Sequence, residues 1–141
     1  RCQRSAARTG RREMAQIRSA KDLVVYQKAY ALATQIYDVS KSFPADERYS
    51  LTNQIRRASR SVCTNLKEAW AKRRYEAHFV SKLSDSDGEN GEVETWLDFA
   101  KHCGHISEKQ HTELTAKVAE VGKMLGAMMN NPGPFLLTSD R

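Results

Sequence analysis

Residues 43–70 read FPADERYSLTNQIRRASRSVCTNLKEAW, and this stretch decides the fold. Pro44 pushes the residue before it out of helical backbone, so a helix arriving from the N-terminal side stops there. Asp46 is a plausible N-cap for the next helix. Leu51, Ile55, Ala58, Val62, Leu66 and Ala69 then recur at three- and four-residue steps, the period of one buried helical face. The helix is expected to run from about Asp46 to Arg74.

The same helix carries a second pattern. At about 100° per residue, its apolar positions fall within about 80° of one another, and Arg56, Arg60, Lys67 and Arg74 form a row about 140° away. Arg57 lies between that row and a polar flank of Gln54, Ser61, Asn65 and Glu68. Lys72 and Arg73 add charge at the C-terminal end, where cations complement the helix dipole. Such a row can track phosphates, with salt-dependent and largely sequence-blind affinity. It is equally a solvated face, or one that pairs with acids.

Three further segments share the helical period. The first, about Asp22 to Phe43, shows Leu23, Tyr26, Tyr30, Ala33, Tyr37 and Ser40 as a stripe, widened by Ala29, Ile36 and Phe43. The third, about Tyr75 to Cys103, shows Phe79, Leu83, Val93, Leu97 and Ala100. Ser86 and Asn90 interrupt that seam as a polar layer or a close helix approach, and Gly88 and Gly91 each weaken the helix by roughly 1 kcal/mol. The fourth, about Glu108 to Asn130, opens on a Ser107/Gln110 capping box. It continues through His111, Leu114, Val118, Val121, Leu125 and Met128 and ends at Pro132 and Pro134. With short connections these segments predict one all-α domain, an antiparallel up-down four-helix bundle over residues 22–131. Residues 132–141 read as an irregular tail.

The third segment holds Asp85, Asp87, Glu89, Glu92, Glu94 and Asp98, with no Lys or Arg between positions 83 and 100. These acids compete with phosphate as the destination of the cationic row, within one bundle or across a subunit interface.

Length and composition fit one domain of ordinary globular type, 141 residues with 40% hydrophobic and 28% charged. No apolar run approaches the ~20 residues of a membrane span, so no membrane partner is expected. Residues 1–13 hold five arginines against one glutamate and so carry four of the six net positive charges. Residues 1–21 therefore read as a basic, disordered arm. It has the composition of a nucleic-acid-touching arm or a transit-like segment; its plainest reading is an upstream extension before a start at Met14. Cys2, Cys63 and Cys103 have no paired spacing, which suits reduced thiols in a cytoplasmic protein.

Nothing in the chain offers catalytic chemistry, and neither a cofactor nor a metal is expected. Asp85–Glu89 faintly resembles a calcium loop, but Asn90 and Trp96 stand where that frame needs Gly and Glu. Glu108 and His111 match half of a di-iron motif whose second copy is missing. His102, Cys103, His105 and His111 cluster in sequence, yet their spacing fits no standard zinc pattern. Cys63 and Cys103 read as small apolar packers, and Trp70 and Trp96 as core or interface aromatics.

Phe43-Pro44, Glu47, Tyr49, Leu51, Gln54, Arg56-Arg57-Ala58, Ser61-Val62, Asn65-Leu66 and Glu68 together resemble the signature of the four-helix-bundle proteins encoded in intervening sequences of bacterial 23S rRNA. The resemblance runs back through Leu23, Tyr26, Lys28 and Ala29, and forward through Phe79, Leu83, Glu94 and Leu97 to Gly104-His105-Ile106. It covers roughly residues 22–129. It implies an antiparallel bundle assembling as a ring-like homo-pentamer. The family is also similar to the accessory (Avd-type) proteins of diversity-generating retroelements, which implies RNA or DNA and a reverse transcriptase as partners. This chain departs from the pattern at Asn65-Leu66-Lys67-Glu68-Ala69, where the family has Asn-Ile-Ala-Glu-Gly, and in the acidic run from Ser84 to Glu92. Both departures strengthen charged surfaces.

The expectation is thus a non-enzymatic nucleic-acid-binding oligomer, RNA above all, with Arg56, Arg57, Arg60, Lys67, Lys72, Arg73 and Arg74 on the phosphate backbone. The alternative is an assembly or scaffold protein in which the basic second helix pairs with the acidic third.

Overall fold

The computed structural model describes residues 17–138. Within them four helices follow one another: α1 (Val24–Ser40), α2 (Leu51–Ala71), α3 (Glu76–His102) and α4 (Glu108–Asn130). Short 3₁₀ turns lie at Ala20–Asp22, Ala45–Glu47 and Gly133–Phe135. Each helix packs on its neighbours in sequence, and α1 meets α4 to close the bundle.

The pairing register shows the up-down order. Between α2 and α3, Arg57 meets Glu89 and Glu92, Ser86 meets Val62, and Glu68 meets Lys82. Position numbers rise on one helix as they fall on the other, so the pair is antiparallel. Asn90–Val118 and Asp98–His111 set the same sense for α3 and α4, and Lys28–Glu120 with Gln35–Lys117 does so for α1 and α4.

The apolar stripes expected on α2, α3 and α4 are buried, from Leu51 to Ala69, Phe79 to Ala100 and Leu114 to Met128. The Ser107–Gln110 capping box is present, with Gln110 N–H donating to Ser107 Oγ at 3.0 Å and Ser107 N–H to Gln110 Oε1 at 2.9 Å. His111, expected at the head of the α4 stripe, instead turns aside to Asp98 at 2.7 Å. Ser86 and Asn90 form a buried polar layer. Ser86 Oγ donates to the Val62 carbonyl at 2.8 Å, and Asn90 Nδ2 to the Val118 carbonyl at 2.9 Å. Gly122 on α4 makes room for the amide: a Cβ there would stand 3.3 Å from Asn90 Nδ2.

The α1 stripe requires correction. Its buried side is Val25, Ala29, Leu32, Ala33, Ile36 and Ser40, while Tyr30 and Tyr37 are 58% and 39% exposed. The tyrosines share the helical period with this row but sit beside it. The aliphatic side chains bury without a hydroxyl to satisfy, so they take the interior.

The boundaries of α2 also differ. After Pro44 the chain makes a separate 3₁₀ turn, and the α-helix begins at Leu51 rather than near Asp46. Ser50 Oγ there donates to Glu47 Oε1 at 2.8 Å instead of capping the helix. The helix ends at Ala71, short of Arg74, where Arg73 Nε donates to the Trp70 carbonyl at 2.7 Å. That bond satisfies one carbonyl orphaned at the helix end.

The chain flanking the bundle is partly built into it. Ile17 packs on the core, and the Asp22 carboxylate accepts from the Arg18 and Ser19 backbone N–H groups at 2.9 and 3.1 Å. These two bonds hold the Asp22 carboxyl below its ordinary pKa. Residues 17–21, assigned by composition to the disordered arm, are therefore ordered. The remainder of the arm, residues 1–16, lies outside the described residues. At the other terminus Phe135 stacks on Phe79 with ring centroids 6.1 Å apart, and Leu137 N–H donates to the Arg73 carbonyl at 3.2 Å.

Candidate nucleic-acid interface

The seven cations named from the sequence divide into three groups. Arg57 is turned toward α3, where its guanidinium meets Glu92 at 2.9 Å and Glu89 at 3.3 Å. Burial, and then the Glu92 carboxylate that favours a protonated Glu89 as donor, push the Glu89 carboxyl above its ordinary pKa, against the pull of Arg57. Glu68, on the same flank, pairs with Lys82 at 2.8 Å. This side of α2 is the seam with α3.

Arg73 folds back on α2, its guanidinium 3.5 Å from the centroid of the Trp70 ring. Partial burial lowers its pKa from the ordinary value. It acts as a helix-end cap and an aromatic partner.

The third group is Arg56, Arg60, Lys67, Lys72 and Arg74. None makes an ion pair with a described carboxylate. Arg60, Lys67, Lys72 and Arg74 are exposed, and Arg56 is half-buried. Arg56 and Arg60 face α1 rather than the acids of α3. Arg56 Nε donates to the buried Ser40 Oγ at 2.7 Å. The guanidinium carbons of Arg56 and Arg60 lie 4.6 and 5.5 Å from the centroid of the Tyr37 ring, and Lys41 Nζ lies at 4.8 Å.

Two residues missed from the sequence join this face. Arg48, in the turn before α2, lies over the ring of Tyr49, which is 83% exposed. A basin of about 710 Å³ runs along Arg48, Tyr49, Asn53, Arg56, Arg57 and Arg60. A groove of about 360 Å³ adjoins it, lined by Tyr26, Tyr30, Tyr37, Arg60, Cys63 and Thr64. The aromatics between the cations escaped sequence reading because their period coincides with a core stripe. Placed on the surface, they supply π faces next to positive charge, the combination that single-stranded nucleic acids use.

The α3 acids make a counterpart. Asp85, Glu89 and Glu92 line a basin of about 470 Å³ with Asn65, Ser84 and Gly88. Asp87 and Glu94 make no ion pair with a described cation. Cys63 is buried and its thiol is pushed up to about 11 by desolvation, which suits a packing residue rather than a nucleophile.

The sequence matches the family described as 23S rRNA-intervening sequence protein over residues 21–127. A crystal structure of a protein of unknown function, from the S23 ribosomal protein family of Bacteroides thetaiotaomicron, is similar to this fold with a TM-score of 0.70. The two are 25% identical, over 77% of this chain and 96% of that one. No curated protein matches the chain. Among the described residues no helix is long and apolar enough to cross a membrane.

Proposed function

The chain belongs to the 23S rRNA-intervening sequence protein family, and from that premise we propose that it is a non-enzymatic RNA-binding bundle whose contact face is the α1–α2 side. The observation that carries this reading is the gathering of Arg48, Arg56 and Arg60 beside exposed tyrosines with no described carboxylate to neutralise them. Phosphates meet the cations, and unpaired bases stack on Tyr37 and Tyr49. Lys67 and Arg74 extend the charged line along α2. Assembly into an oligomer multiplies contacts that are weak one at a time.

A salt series with a structured rRNA fragment tests this. Each phosphate neutralised contributes roughly 0.7–0.9 to the slope of log affinity against log salt. Arg60→Ala and Lys67→Ala should each reduce the slope by about that amount. Arg57→Ala should leave it nearly unchanged, because Glu89 and Glu92 already hold that charge. No binding at low salt, or a slope indifferent to Arg60 and Lys67, overturns the reading. Neighbouring genes separate an rRNA setting from a reverse-transcriptase cassette.

One observation favours a second reading. Among the described residues the basic α2 face and the acidic α3 face both keep charges without an ion-pair partner, so two copies can meet head to tail through them. Arg60→Glu should then dissociate the oligomer in light scattering. Normal assembly with lost RNA binding favours the first reading.

A further inference from the structure

The connections at one end of the bundle bring together three groups that no sequence spacing links. Glu47 belongs to the 3₁₀ turn between α1 and α2, and Cys103 and His105 flank Gly104 after α3. Gly104 adopts a left-handed conformation, φ 75°, between the two side chains. One oxygen of Glu47, Sγ of Cys103 and a ring nitrogen of His105 all lie within 4.8 Å of one another. His105 Nε2 stands 3.0 Å from Glu47 Oε2, and the Phe43 ring packs against the imidazole with centroids 5.6 Å apart.

From this geometry we infer that Glu47, Cys103 and His105 form a zinc site, with the fourth tetrahedral position open to water. The donors are a thiolate, an imidazole and a carboxylate, each an ordinary zinc ligand at about 2.0–2.3 Å. Tetrahedral binding sets such donors about 3.3–3.8 Å apart, so side-chain adjustments on the order of 1 Å close the site. His105 and Glu47 are largely shielded while Cys103 is exposed, which leaves an entry path. The ion ties the α1–α2 connection to the α3–α4 connection, and its binding adds to folding stability. The site adjoins Arg48 and Tyr49 of the proposed RNA-binding face along the chain but takes neither as a ligand.

The test is cobalt(II) titration, then zinc(II) displacement, on the full chain without a histidine tag under a phosphine reductant. A thiolate-to-cobalt charge-transfer band should saturate at one equivalent per chain and disappear on adding zinc. Cys2→Ser should keep the band and Cys103→Ser should abolish it, with circular dichroism showing intact helix. His105→Gln and Glu47→Gln should each weaken cobalt binding by at least about tenfold, the lower bound even for loss of an outer-shell partner. Zinc should raise the melting temperature of the parent and not of Cys103→Ser. Absence of the band, its survival in Cys103→Ser, or an affinity unmoved by His105→Gln overturns the site.

Discussion

Arg56→Ala should destabilise the bundle far more than a surface arginine normally would. Its Nε donates to Ser40 Oγ at 2.7 Å, and Ser40 is 2% exposed. A hydrogen bond involving a charged group contributes about 1.5–3 kcal/mol net. The guanidinium also lies 4.6 Å from the Tyr37 centroid, a contact of about 0.5–1 kcal/mol at a partly exposed site. Two considerations pull the sum down. Arg56 is only half-buried, and Ser40 Oγ keeps its own donated bond to the Tyr37 carbonyl, 2.9 Å, so its proton is not orphaned. The expected loss is therefore about 2 kcal/mol. For a chain of this size that corresponds to a fall in melting temperature of about 6–8 °C. Urea unfolding followed by circular dichroism measures it, with an unchanged m-value. Arg56→Lys should recover roughly half, since an ammonium keeps the ring contact but not the directed Nε bond. A double-mutant cycle with Ser40→Ala should show coupling of about 1 kcal/mol. Arg56→Ala within about 0.5 kcal/mol of the parent, or a coupling near zero, would refute the assignment of Arg56 as a structural cation. The same reasoning makes Arg60, exposed and without such a bond, the cleaner probe of RNA binding.

Two glycines on α4 should respond in opposite directions. Gly126→Ala meets nothing within 4 Å and should stabilise by about 0.5–1 kcal/mol, whereas Gly122→Ala crowds the buried Asn90 amide and should cost about 1 kcal/mol net; thermal melts distinguish the two. The pH dependence has a definite sign at Glu47 and Glu68. Glu47 is held below its ordinary pKa by Ser50 and then His105, and Glu68 by Lys82. Their contribution is present above the unfolded carboxylate value of about 4.3 and is lost as pH falls through the lower folded values. Denaturation between about pH 5 and 3 should be shallower in a Glu47→Gln, Glu68→Gln variant.

The buried faces of three of the four helices were legible because their core positions are nearly all aliphatic. Leu51 to Ala69 on α2 and Leu114 to Met128 on α4 match the buried rows. On α1 the tyrosines and the aliphatics keep the same period one residue apart, and periodicity alone could not choose between them. The direction of the cationic row was legible for the same reason, since projection on a helix needs only the residue spacing. Its partners were not. Glu89 and Glu92 claim Arg57 because α3 runs antiparallel along that flank, and Ser40 with Tyr37 claims Arg56 because α1 lies on the other side.

By itself the sequence determined the helices, the buried faces of α2, α3 and α4, the capping box before α4 and the family. Each of these rests on residues close along the chain or on an ordered set of them. Only the tertiary structure decided which charges are neutralised, which aromatics reach the surface and which ligands converge. Glu47 and His105 stand 58 positions apart yet 3.0 Å from one another. That meeting depends on how two connections pack at one end of the bundle, and no local spacing encodes it.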